Sequence, residues 1–101
     1  MSFATLLAED RRLVILRSLS EMPGYQLNED VLQKGLIHFG HNVSRDLVRA
    51  DVGYLEEHRL VRVQKLVPQS GELWLVTLTS DGEDVAQGRQ HTGVARRRPG
   101  G

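Results

Sequence analysis

No cysteine occurs among the 101 residues, which excludes disulfide staples, thiolate metal sites and cysteine nucleophiles together. No apolar run reaches the roughly eighteen residues that a membrane-spanning helix needs. The first ten residues lack the basic start of a secretory signal, so a cytoplasmic location is expected. The ten glycines form neither a phosphate-cradling loop nor a Gly-x-Ser-x-Gly elbow. The acid pairs Glu9-Asp10, Glu29-Asp30 and Glu56-Glu57 are neighbours in sequence and do not face one another on a helix. They read as solvated or dipole-favoured groups, and no enzyme is expected. His38 and His41 stand three apart with Gly40 between them, and no carboxylate completes a metal set. No metal or other cofactor is expected.

Acid is also missing from one end. Residues 89–101 carry Arg89, Arg96, Arg97 and Arg98 with no acid, a balance of +4, whereas residues 1–88 hold nine basic and thirteen acidic groups, a balance of −4. The formal net charge of zero therefore hides a mildly acidic body and a basic end. Hydrophobic content of 40% and charge of 26% are values of a globular domain with one core. The expected organisation is a folded unit over 1–88 and a flexible basic tail over 89–101. That tail is either a strap for DNA phosphates or a solubilising end. The acidic body weighs against strong non-specific DNA affinity.

Apolar spacing and cap residues divide the body. A first helix is expected over 3–19 behind Ser2, with Phe3, Leu6, Leu7, Leu13, Val14, Leu16 and Leu19 covering more than one narrow stripe. Either all of these face the core, or the first two turns pass beyond it and pack on a second chain. Glu21-Met22-Pro23-Gly24 ends the helix, and Tyr25-Gln26-Leu27 reads as a short strand. Asn28 caps a second helix with Val31, Leu32, Leu36 and Phe39 on one face and Gly40 as its stop.

The third helix, 44–58, starts at Asn42 or Ser44. It turns Leu47, Val48, Val52 and Leu55 inward and Arg45, Arg49 and Gly53 outward. Residues 61–65 alternate as a strand, Pro68-Gln69-Ser70-Gly71 is a turn, and 72–79 return. Ser80-Asp81-Gly82-Glu83 fits a capping box before a last helix over 81–87. The fold class is α+β: a three-helix core, a β-hairpin wing and a short C-terminal helix, the order of a winged helix-turn-helix.

In that arrangement Arg45 lies in the turn that reaches base edges, and arginine offers two parallel donors to guanine O6 and N7. Arg49 sits one turn on. Asn42, Ser44 and His41 stand at the groove mouth, where small donors bind backbone oxygens. Arg62, Gln64, Lys65, Gln69 and Ser70 are the wing candidates. Against this, residues 41–62 hold four arginines and four acids. Arg45 and Arg49 are equally placed to pair with Asp46, Asp51 or neighbouring acids.

The string Gly40-His41-Asn42-Val43-Ser44-Arg45-Asp46, then Val48-Arg49, Leu55-Glu56-Glu57 and Leu60-Val61, resembles a family of small winged-helix proteins of Mu-like prophages related to ArsR- or MarR-type regulators. The likeness covers nearly the whole chain, to Gly93-Val94-Ala95-Arg96. It implies a winged-helix fold. Metal sensing does not carry over, because the cysteines of the metal-sensing ArsR branch are missing.

Two functions are expected in order. The first is a dimeric phage or prophage DNA-binding regulator in the bacterial host cytoplasm. It would read duplex DNA with helix 44–58 and pair through Phe3, Leu6 and Leu7. The second is a winged-helix protein-docking module, serving phage assembly or transposition, without sequence-specific DNA binding.

Overall fold

A computed structural model describes residues 2–96. Ser2 accepts the Thr5 N–H at 3.1 Å and opens α1, Phe3–Ser20. Asn28 does the same for Val31 at α2, Glu29–His38, and Ser44 for Leu47 at α3, Arg45–Glu57. Each cap satisfies a helix-end N–H that has no partner within its own helix. The choice between Asn42 and Ser44 thus falls to Ser44.

The last helix, α4, Ser80–Ala86, departs from the expected capping box. Its cap is Thr79, whose hydroxyl accepts the Gly82 N–H at 3.0 Å and donates to the Arg59 carbonyl at 2.7 Å. Thr79 prevails because one hydroxyl serves both α4 and the end of α3, leaving Ser80 as the first helical residue. Glu83 accepts from Gln87 Nε2 at 2.9 Å.

Helices α2, α3 and α4 end in the same way. Behind α2, the His41 N–H bonds to Leu36 O at 2.8 Å and the Gly40 N–H to Ile37 O at 3.0 Å. Behind α4, Arg89 and Gly88 repeat the pattern on Asp84 and Val85. Behind α3, Leu60 bonds to Leu55 O and Arg59 to Glu56 O, so Arg59 occupies the left-handed position at φ 61°. Glycine fills that position without strain in the other two, at Gly40 and Gly88. The buried Leu55–Leu60 pair supplies the apolar contact that accompanies this motif.

Three strands form one antiparallel sheet in the order β1-β3-β2: β1 Gln26–Asn28, β2 Val61–Leu66 and β3 Leu73–Leu78. Lys65 pairs with Trp74, Val63 with Val76 and Val61 with Leu78. Alternation puts these side chains on the face toward the helices and Arg62, Gln64 and Leu66 on the other. The core gathers Ile15, Leu16 and Leu19 of α1, Leu32 and Leu36 of α2, and Val48, Val52 and Leu55 of α3. Leu60, Val76 and Val85 close it. The protein is therefore α+β, with four α-helices and this sheet among the described residues.

Two further expectations change. Leu47 is 37% exposed, so the inward face of α3 is Val48, Asp51, Val52 and Leu55. An acid thus occupies a place that apolar spacing alone gives to leucine. The second change is in the tail. Gly88 does end α4, but the chain after it returns to the body instead of hanging free over 89–96. Val94 is buried, the Ala95 N–H bonds to Glu9 O at 3.1 Å, and the Arg12 guanidinium holds Gly93 O at 3.0 Å. One apolar anchor and two backbone bonds outweigh the loose composition. The Arg97 and Arg98 end of the expected tail lies outside the described residues.

Leu55, fully buried, and Leu47, partly exposed, separate this packing from the simpler helical assignment. Leu55→Ala is expected to remove about 2–5 kcal/mol of stability. Leu47→Ala is expected to cost well under that, since its side chain leaves no enclosed cavity. Chemical denaturation of both variants checks the difference, and equal losses would show α3 rotated about its axis.

Candidate nucleic-acid interface

The first turn of α2 supplies the group around which the interface is built. Asn28 starts that helix so that Glu29 points back under α3, where its side chain is only 1% exposed. Oε1 of Glu29 accepts Arg49 Nε at 2.6 Å and Oε2 accepts Arg49 Nη2 at 2.8 Å, a two-point fork. Oε2 also accepts the Trp74 backbone N–H at 2.6 Å. One carboxylate thus ties α2, α3 and β3 together. The Arg49 fork holds its carboxyl below the ordinary range, with the Trp74 N–H and Arg45 helping and burial opposing. Glu29 raises Arg49 in return.

The expected reading residues spread around this point. Arg49 also donates Nη2 to Glu72 O at 3.1 Å, at the hairpin, and its guanidinium lies 4.9 Å from the centre of the Trp74 ring. Lys65 approaches the same ring at 4.9 Å. Arg45 remains half exposed, paired with Asp30 and 3.8 Å from Glu29. Both arginines therefore meet acids, but of α2 and the hairpin. Asp46 and Asp51, on their own helix, do not take that place. Asn42 is exposed, Ser44 spends its oxygen on the cap, and Gln69 lies exposed in the 67–72 turn. Register sets Arg62 beside Thr77 and Gln26, on the sheet face opposite Lys65. The structure thus joins Arg45 and Arg49 at Glu29, and Arg49 and Lys65 at the Trp74 ring, and sets Arg62 on the other face of the sheet.

A second carboxylate fixes the other side of α3. Asp51, 2% exposed, accepts Arg11 Nε at 2.6 Å and Arg12 Nε at 3.2 Å, both from α1. Arg12 also stacks on Tyr54 at 3.8 Å, Tyr54 on His58 at 4.3 Å, and His58 meets His91 edge-on at 5.0 Å. Gly93 closes the stack, because a Cβ there would meet Tyr54 Oη at 1.8 Å. Further along α1, His41 Nε2 sits 2.7 Å from Asp10, joining the turn before α3 to α1.

Sequence reasoning missed Glu29, Asp51 and the Tyr54–His58–His91 stack. Glu29, in a first turn, looks dipole-favoured whatever lies behind it, Asp51 stands in mid-helix, and their partners are 20 and 40 residues away in sequence. The expected pairing residues Phe3, Leu6 and Leu7 are 73%, 48% and 36% exposed, so the first two turns of α1 do pass beyond the chain's own core.

No family model matches the chain. It is 50% identical over 95 residues to the uncharacterized protein gp26 of Escherichia phage Mu, covering 93% of this chain and 94% of that protein. It is 48% identical over 66 residues to an uncharacterized protein of Haemophilus influenzae, covering 65% of this chain and 64% of that one.

Burial, then His58 and Arg89, push the His91 pKa below its ordinary 6.5. Protonation then favours the unfolded chain. The stability that neutral His91 gives is complete above about pH 6.5 and is lost as the pH falls through that value toward the folded-state pKa. Melting temperature is expected to drop between about pH 7.5 and about pH 5.5, less steeply in His91→Gln than in the wild type. Parallel slopes would contradict the assignment, since Glu29 titrates below this window.

Proposed function

The chain belongs to the same family as gp26 of Escherichia phage Mu, and from that footing we propose a winged-helix DNA-binding protein of phage or prophage origin. In this reading it is a dimeric transcriptional regulator working in the cytoplasm of the bacterial host. Helix α3 enters the major groove and the β2–β3 hairpin is the wing. The observation that carries the reading is the Arg49 clamp. Bonded to Glu29 and to Glu72 O, it holds the first turns of α3 beside the hairpin, so that the two contact elements form one rigid surface. A rigid surface is what groove recognition needs.

Roles divide along that surface. Arg49 is a positioning residue. Arg45, half exposed and bound on one side only, exchanges Asp30 for a guanine edge. Asn42 reaches a phosphate at the start of α3, and Lys65 and Gln69 do so from the wing. Asp30, Asp46 and Glu72 offset much of the local positive charge, so affinity rests on few phosphates and falls only modestly with salt.

A second reading is a protein-docking module for phage assembly or transposition. It is favoured by the pairing of both α3 arginines with acids. The sheet face turned from the helices also carries Leu66, Leu73 and Leu75, with Val67 beside them 82% exposed.

Selection of bound duplexes from a random library at two salt concentrations separates the two, with Arg45→Ala beside the wild type. A palindromic motif is expected, with one base preference relaxed by roughly 1–3 kcal/mol in Arg45→Ala. The single tryptophan, Trp74, lies against Arg49 and Lys65 and reports binding by its fluorescence. No enrichment at low salt would replace DNA reading with protein docking.

A further inference from the structure

One flank of α1 and its C-cap Glu21 carries residues 3, 7, 10, 14, 17 and 21, spaced alternately four and three apart. That is the spacing of a coiled-coil seam, here filled by three apolar and three charged residues. Phe3 and Leu7 begin it, Val14 stands at its middle, and Asp10, Arg17 and Glu21 supply charge. Helix α1 buries Leu13, Ile15, Leu16 and Leu19 on its other side, and of the seam residues Val14, half-buried, also packs against that core. Beside the seam runs a groove lined by Val14, Arg17, Ser18, Glu21 and Phe39, whose ring is 65% exposed.

We propose that a second copy of this chain covers the seam, α1 against α1 in antiparallel register about Val14. The proposal takes from the regulator reading only that a second copy is present. Charge selects the direction. A parallel pair would set Asp10 on the partner's Asp10 and Arg17 on the partner's Arg17, like charges in contact. The antiparallel pair sets Arg17 on the partner's Asp10 and Asp10 on the partner's Arg17, with Val14 on the partner's Val14. Leu7 then meets the groove that Phe39 walls, and the same contact repeats across the two-fold axis.

Other occupants fit worse. Duplex DNA is repelled by Asp10 and Glu21. Residues 97–101, Arg-Arg-Pro-Gly-Gly, contain no large apolar side chain to cover Phe3, Leu7 and Phe39. The seam also reaches the DNA surface, because Asp10 holds His41 in the turn that leads into α3. Pairing thereby fixes both copies of α3 relative to one two-fold axis, as a palindromic site requires.

The absence of cysteine makes the test clean. Light scattering on the wild type is combined with cross-linking of Val14→Cys by a short bis-maleimide. Val31→Cys, exposed on α2, is the control. The expected result is a dimer that Val14→Cys locks covalently and Val31→Cys does not. Arg17→Asp is expected to weaken pairing at least about tenfold, and Asp10→Arg added to it restores the dimer. Circular dichroism melts verify that each variant folds.

A strict monomer at high micromolar concentration would overturn the seam and the dimeric regulator together. A dimer that Val14→Cys fails to lock would overturn the seam alone. A locked dimer that selects no DNA motif would leave the seam standing and remove the DNA reading.

Discussion

The carboxylate of Glu29 is the point on which the packing of α2, α3 and the sheet depends. It is removed from water, and an unpaired carboxylate there would be strongly unfavourable. Its three short bonds, two from Arg49 and one from the Trp74 N–H, resolve that penalty and at the same time set the angle between α2, α3 and the sheet. A buried ion pair adds little net stability over a well-packed apolar replacement. Its strength is directional: only one placement of α3 satisfies both oxygens. The Arg49 bond to Glu72 O carries the same constraint into the hairpin.

Asp51 plays the matching part on the inner side of α3. It draws Arg11 and Arg12 of α1 across the helix, and Arg12 passes the constraint on to Gly93 and the returning chain. Helix α3 is therefore held from two sides, its Arg49 by Glu29 of α2 and its own Asp51 by Arg11 and Arg12 of α1. This explains why a helix with balanced charge does not present a strongly basic face. Its arginine charge is used largely for placement, and Arg45 is the more exposed of the two arginines that meet Glu29.

Much of the fold was legible in the chain. The caps Ser2 and Asn28, the stops Gly40 and Gly88, and the strands around Pro68–Gly71 are set by local chemistry, and they lie where that chemistry puts them. Local rules gave out where two residues of the same type competed. Spacing left Asn42 and Ser44 open, and it is Ser44 that accepts the Leu47 N–H, while Ser80 gave way to Thr79, which also donates to the Arg59 carbonyl. They gave out again where partners lie far apart in sequence. Spacing correctly set Arg45 and Arg49 on one side of α3 but did not reveal the acids of α2 beneath them. The segment 89–96 reads as loose because it follows the Gly88 stop and has little apolar content, with Val94 its one large aliphatic residue. Its placement rests on Val94 with Ala95 beside it against the core, on the bonds to Glu9 and Arg12, and on Gly93 having no side chain beneath Tyr54.

The most direct test of this account is a double-mutant cycle by chemical denaturation across Glu29→Gln and Arg49→Gln. The account predicts strong coupling: each single change leaves a charge without its partner, and the double variant is no less stable than the worse single one. Losses that simply add would mean the two side chains act independently, and the clamp that holds α3 to the hairpin would then have no energetic basis.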